Sequence, residues 1–239
     1  MPRLALAACL LWSLGAFLLS GQTGPRPVPT AEIQNEVIES VRDYILRPTR
    51  NDSNLSLTLV QRQYSASSPG QWQLQRFERT SGDSPKIGQF RNMLREPFEL
   101  ATLTSFKWDH WGTLRGRLTY VFAYVVERSR SGWHMSQDSL ELAPAYSGLV
   151  YVDMEQRVVL RITRKTVDVP ATSKVEEASA VLDYPLAKIG VSRLLLPFKA
   201  EEQVRSESLS TRTVVEVYQA PAHLTPIGEV RRGKGACYK

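Results

Sequence analysis

The chain has 239 residues, 42% hydrophobic and 23% charged, with 30 Lys and Arg against 24 Asp and Glu for a formal charge of +6. That length serves one large β-rich domain or two small ones, and a mean hydropathy of −0.26 excludes a helical membrane protein beyond the first twenty-odd residues. Basic and acidic side chains are interspersed, as in Arg76, Glu78 and Arg79 or Glu201, Glu202, Arg205 and Glu207; this describes a solvated face, not a nucleic-acid stripe.

Residues 1–21 carry the three parts of a secretory signal: Arg3, the apolar run Leu4–Leu19, then small residues at Ser20 and Gly21. Cleavage is expected between Ser20 and Gly24; an uncleaved anchor is the alternative. Residues 22–29, rich in Pro, Gly and Thr, are expected to form a flexible linker. No Cys follows the apolar run, so lipid anchoring is not expected. Cleavage removes Cys9 and leaves Cys237 without an internal partner, so packing has to supply stability.

Thr30 is placed to cap a helix over Ala31–Leu46, in which Ile33, Val37, Val41 and Tyr44, with Ile38 and Ile45, form one apolar stripe before Pro48. Leu55–Ala66 and Gln71–Arg79 read as paired strands across Ser67-Ser68-Pro69-Gly70. Asn51 and Asn54 each match the glycosylation sequon, a short match that chance explains better. Ser84-Pro85 opens a second, shorter helix through Ile87, Phe90 and Leu94, stopping at Pro97. Leu100–Trp111 is aromatic and extended, Gly112 marks a break, and Leu114–Arg128 places Leu118, Tyr120, Phe122, Tyr124 and Val126 on one face. Trp133–Leu142 reads as a further strand.

Gly148–Val152 and Arg157–Val167 form a hairpin around Asp153-Met154-Glu155-Gln156, with Val158, Leu160 and Ile162 predicted on one face and Val159, Arg161 and Thr163 on the other. The apolar run Leu149–Val152 implies that both faces are partly covered there. Val175–Leu186, Val191–Pro197, Glu202–Ser208 and Arg212–Tyr218 complete the sheet. Strands following one another by short turns make an antiparallel meander. The expected class is therefore α+β, mainly antiparallel β: a curved half-barrel over residues 30–219. The N-terminal amphipathic helix and the second short helix cover its concave side. Residues 220–239 are expected to be a poorly ordered basic tail.

No residue is assigned a catalytic, cofactor-binding or metal-ligating role, and no cofactor is expected. Asp109-His110 invites a general-base reading, but strand neighbours point to opposite faces and there is no Gly-x-Ser-x-Gly elbow or nucleophilic cysteine. His134 and His223 are isolated, so no zinc set exists, and no glycine-rich phosphate loop follows a strand. The aromatic set Trp72, Phe106, Trp108, Trp111, Tyr120, Phe122 and Tyr124 serves either as plain core or as the lining of a lipid cavity.

The runs FKWDHWGTLRGRLTYVFAYVV, AYSGLVYVDMEQRVVLRI, LDYPLAKIGVSRLLLPF and TVVEVY carry a family likeness, marked by Tyr146-x-Gly148, Asp153, Leu160-Arg161-Ile162, Asp183-Tyr184 and Leu195-Leu196-Pro197. From Thr30 to Tyr218 the chain resembles secreted bacterial proteins, frequent in acidobacteria, associated with the LolA/LppX-like lipoprotein-carrier half-barrels, to which a domain of RseB is related. These are scaffold motifs, and the further aromatic-basic strand expected after Tyr218 is missing. The resemblance implies a periplasmic or secreted, non-enzymatic carrier holding a lipid or lipoprotein acyl chain between sheet and helix. Its alternative is an envelope stress-sensing module of RseB-like type that binds a protein partner. No nucleic-acid partner is expected, and peripheral membrane contact stays open.

Overall fold

The computed structural model describes residues 26–47, 57–68, 70–81, 85–137, 140–170, 173–185 and 197–219. The signal segment, both sequons, Val191–Leu196, the tail and Cys237 lie outside these residues.

Helix α1 spans Ala31–Leu46, with the bounds its stripe predicts. The Thr30 side chain accepts the Ile33 N–H at 3.4 Å and its carbonyl accepts the Gln34 N–H at 2.9 Å, so the cap satisfies donors the helix cannot. Val37, Ile38, Val41 and Ile45 are buried, while Ile33, one turn ahead of them, is 37% exposed. Helix α2 spans Pro85–Arg95 and continues into a 3-10 turn at Glu96–Phe98. It buries Ile87, Phe90, Met93 and Leu94.

Among the described residues nine strands form one antiparallel sheet: β1 Leu57–Ala66, β2 Gln73–Ser81, β3 Ser105–Leu114, β4 Arg117–Val126, β7 Ala145–Asp153, β8 Val159–Asp168, β9 Val175–Asp183, β10 Lys199–Ser206 and β11 Ser210–Gln219. Two short strands, β5 Met135–Gln137 and β6 Leu140–Leu142, pair with each other and, among the described residues, with no other strand. The large sheet runs β2-β1-β11-β10-β9-β8-β7-β4-β3, so the chain meanders from β3 to β11 and returns to its first hairpin. The sheet is open, with β2 and β3 as its edges.

One apolar cluster joins α1 and α2 to the sheet through Leu59, Tyr120, Phe122, Tyr124, Val150, Ile162, Ala180, Leu182 and Val215. Both helices therefore cover the same face, the arrangement a two-layer domain needs to bury one side of a sheet. Val121 is also fully buried yet points away from that cluster between Tyr120 and Phe122, so the opposite face is covered around it.

Several local expectations change. The β3–β4 break falls at Arg115-Gly116, with φ of 51° and 75°, the double left-handed geometry of a tight hairpin; Gly112 lies inside β3, opposite Thr119. The Leu100–Trp111 segment starts as a 3-10 turn at Leu100–Thr102 and becomes strand only at Ser105. Trp133–Leu142 is not one strand but a strap followed by the β5–β6 hairpin. β9 stops at Asp183, where the Tyr184 N–H bonds the Leu160 carbonyl and Phe198 N–H the Asp183 carbonyl.

Bulges explain the remaining differences. In β3, Trp108 pairs with Phe122 but His110 pairs with Val121, leaving Asp109 unpaired. The extra residue re-phases the strand, so Phe106, Trp108 and Trp111 all turn to the core face despite a spacing that strict alternation forbids. A second shift at Tyr151/Val152 pairs Val159 with Val152 and brings Val159 into the cluster with Ile162. The predicted separation of those two residues onto opposite faces is corrected accordingly.

Candidate functional site

The β7–β8 turn and the strap after β4 fix the site's frame. Asp153 is 1% exposed. Its Oδ1 accepts the backbone N–H groups of Glu155 at 3.1 Å and Gln156 at 2.7 Å, and the Arg117 guanidinium forks onto both carboxylate oxygens. Burial opposes ionisation of Asp153, but the Arg117 contact and the two amides outweigh it and hold the carboxyl below its ordinary range. The strap is pinned at three points. Arg128 bonds Asp168 at 2.8 Å, Arg130 donates to the Ala101 carbonyl at 2.8 Å, and the Gly132 N–H donates to Glu96 at 2.6 Å. The strap's next residue, Trp133, is thereby set over the sheet, edge-on to Tyr146 with ring centres 5.7 Å apart.

Beneath Trp133 the sheet presents a polar rung across its helix-covered face. In register order it runs Arg164 on β8, Ala180 on β9, Glu202 on β10, Thr213 on β11, Gln63 on β1 and Arg76 on β2. Ala180 contributes only a methyl, so the Arg164 side chain reaches over it and places Nη2 3.7 Å from Glu202 Oε1. Arg164 is 5% exposed, and its guanidinium carbon lies 3.8 Å from the Trp133 ring centre. Nε of Arg164 and the hydroxyl of Tyr184 are buried without hydrogen-bond partners, and the Tyr146 hydroxyl faces Glu96. Burial lowers the Arg164 guanidinium from its ordinary value, with Glu202 opposing the shift. Burial likewise raises the phenols of Tyr124, Tyr146 and Tyr184, which therefore stay protonated.

Gly148 makes the room on the other flank. A Cβ there would sit 1.8 Å from the Thr163 carbonyl oxygen and 2.9 Å from the Tyr124 ring. Its absence lets Tyr124 cross β7 and donate its hydroxyl to that carbonyl at 2.8 Å.

Over this rung a cavity of about 400 Å³ opens between α2, the strap and strands β9 to β11. Trp133, Met135, Val175, Val204 and Leu209 supply its apolar wall. Gln89, Glu202, Thr211 and Thr213 supply polar groups. A cavity of that size with a few convergent polar groups is the usual form of a small-ligand site.

The aromatic set of the sequence reading lies elsewhere. Trp108 and Trp111 are 5.1 Å apart, Trp111 and Tyr120 4.8 Å, Trp108 and Phe122 5.9 Å, and Phe106 and Tyr124 5.8 Å. These six residues of β3 and β4 pack on one another, and neither they nor Trp72 line the cavity. Trp111 also anchors the described end of the expected linker: its Nε1–H donates to the Pro27 carbonyl at 2.9 Å and Arg26 lies over its ring. Asp109 and His110 do hydrogen-bond through Oδ2 and Nδ1, because the bulge cancels the alternation that would separate them. The pair is solvent-facing and far from the rung's cavity lining. Among the described residues no cluster of three His, Cys, Asp or Glu side chains is placed to hold a metal, and no helix is long and apolar enough to cross a membrane.

Sequence reasoning missed the site's central pair. Glu202 reads as an ordinary member of an alternating charged pattern, and Arg164 is not singled out from its strand at all. The one available signal was parity: Arg164 shares the face of Ile162, where a strand buries its apolar side.

No protein-family model matches the chain, and no curated protein matches it. Among solved structures the chain is similar to a LolA superfamily protein from Nitrosomonas europaea, at 8% identity and a TM-score of 0.35, over 77% of this chain and 90% of that one. A superposition at that score does not establish a shared fold, and the architecture given above stands on the strand pairing itself.

Proposed function

We propose that the protein is a non-enzymatic binding or carrier protein, acting in the periplasm or outside the cell, that encloses a hydrophobic or amphipathic small molecule between the helix layer and the sheet. The observation that carries this reading is the cavity of about 400 Å³ under Trp133 and α2. Its apolar wall favours a hydrocarbon segment, and its polar rung favours a ligand with a head group. The apolar run Leu4–Leu19 supports export, and the face bearing the helices is taken as the concave side of the sheet. Lipids and lipoprotein acyl chains are the natural candidates.

Organic extraction of detergent-free protein, followed by mass spectrometry, tests the reading. A defined amphipathic compound at a constant ratio to protein is expected. An empty protein that also fails to bind medium-chain amphiphiles in titration would overturn it.

A second reading is favoured by edge strand β2. Every residue of β2 is exposed, including Leu74 at 55% and Phe77 at 58%, and among the described residues its outer backbone groups have no strand partner. A protein partner that adds a strand to this edge would be an interaction module's mode of binding. Cross-linking from β2 to one defined envelope protein, with the cavity empty, would favour it.

A further inference from the structure

Resting on the cavity reading above, we infer that the ligand is a single-chain amphiphile with an anionic head, a carboxylate or a phosphate. Its head takes the place of Glu202 against Arg164, and its chain lies along Trp133, Val204 and Leu209.

The cation is where a head group would need it. Arg164 stands directly behind two residues of the cavity wall, 3.8 Å from Trp133 and 3.7 Å from Glu202. It is desolvated but poorly matched. The Glu202 contact is longer than a hydrogen bond, and Nε has no partner at all. A guanidinium presents its donors as a planar fork suited to two oxygens of one carboxylate or phosphate. Here Nε has no partner and Nη2 has only the 3.7 Å contact to Glu202. A buried charge left so is costly, and packed apolar residues would be more stable, which is the mark of a group retained to meet something else.

Glu202 behaves as a placeholder in this arrangement. Its side chain is 26% exposed, against 5% for Arg164, so it has a route to solvent that Arg164 lacks. Rotating Glu202 outward frees the guanidinium toward the cavity without unpacking β8. Neighbouring rings leave room for an incoming acceptor: the guanidinium carbon lies 3.8 Å from the Trp133 ring centre and 5.9 Å from that of Tyr146. Glu96, the other carboxylate near Arg164, is already engaged by the Gly132 N–H.

Calorimetric titration of the full protein with decanoate, decyl phosphate and decanol separates the parts of this inference. The wild type should bind decanoate or decyl phosphate at least about tenfold more tightly than decanol, the value of one charge-assisted contact. Whichever of the two anions binds more tightly identifies the head. Glu202→Gln, which removes the competing carboxylate, should tighten the anions several-fold relative to decanol. Arg164→Gln should bring the anions down to the level of decanol. Glu202→Gln and the comparison of head groups in wild type both stand if Arg164→Gln fails to fold. Equal binding of all three amphiphiles, or weaker anion binding in Glu202→Gln, would overturn the head-group assignment while leaving the cavity reading intact. Binding of none of the three would overturn both.

Discussion

At the scale of single residues, the fold depends on positions where a side chain is either impossible or obligatory. Gly148 and Gly116 separate two costs of adding a methyl. At Gly148 the methyl would run into backbone, the Thr163 carbonyl, which cannot swing away. At Gly116 there is nothing within 4 Å, and only the φ of +75° is unfavourable. Gly116→Ala should therefore cost about 1 kcal/mol, the strain of a left-handed L residue. Gly148→Ala should cost about 3 kcal/mol or more, because β7 and β8 must separate and the Tyr124 bond to Thr163 is lost. Urea denaturation of the two variants checks the ranking, and a Gly148→Ala protein as stable as Gly116→Ala would contradict the close-packed crossing.

Asp153 gives a pH test on the same scale. Its folded value lies below that of the unfolded chain, so its contribution is present above about pH 4, where the unfolded carboxyl is ionised, and is lost as pH falls through the folded value. Asp153→Asn leaves Arg117 facing a neutral amide and should cost about 2 to 3 kcal/mol at pH 7. The difference from wild type should shrink as the pH falls below about 4. A gap of the same size at pH 3 and pH 7 would mean that Asp153 acts through its hydrogen bonds as a neutral group.

At the scale of elements, β2 and β4 are both nine or ten residues of alternating sequence with opposite fates. In β4 the even-numbered face enters the helix-side cluster, and in β2 neither face enters anything. Phe122→Ala should therefore cost about 3 to 5 kcal/mol, while Phe77→Ala, whose ring is 58% exposed with the Arg62 guanidinium 5.8 Å from its centre, should change stability by less than about 0.5 kcal/mol. Thermal unfolding of the pair decides whether β2 belongs to the cooperative core. The β3 bulge makes a sharper test of register. Deleting Asp109 restores strict alternation and turns Trp108 or Trp111 out of the aromatic cluster, so the variant should lose the near-ultraviolet signature of packed tryptophans.

Legibility followed the same division. Helix α1 was readable to its ends because cap, stripe and terminator agree, and the meander was readable because hairpin turns are local. The bulges at Asp109 and Tyr151/Val152 were not, since one inserted residue leaves no trace in composition yet reverses every later side chain. Trp133 was misread as strand because its placement comes from tertiary anchors, Arg128, Arg130 and Glu96, lying far off in sequence or on the same irregular strap. The lining of the cavity was invisible for a similar reason. It depends on register bringing Arg164, Ala180 and Glu202 into one rung from three strands.

For the whole molecule, two helices among the described residues cover one face of an open antiparallel sheet, and a space is left under α2 and the strap, which the proposed function assigns to a ligand. Solid packing holds the β3–β4 side, where six aromatic rings touch, and the vacancy lies on the β9–β11 side, where Ala, Thr and Val replace them. Backbone amide mapping by nuclear magnetic resonance, with decanoate added to the full protein, tests this most directly. The account predicts shifts concentrated at Gln89, at the Trp133 indole and at Val204 and Thr213, with β2 and β3 unmoved. Shifts confined to Leu74–Phe77, or scattered evenly over the surface, would contradict it.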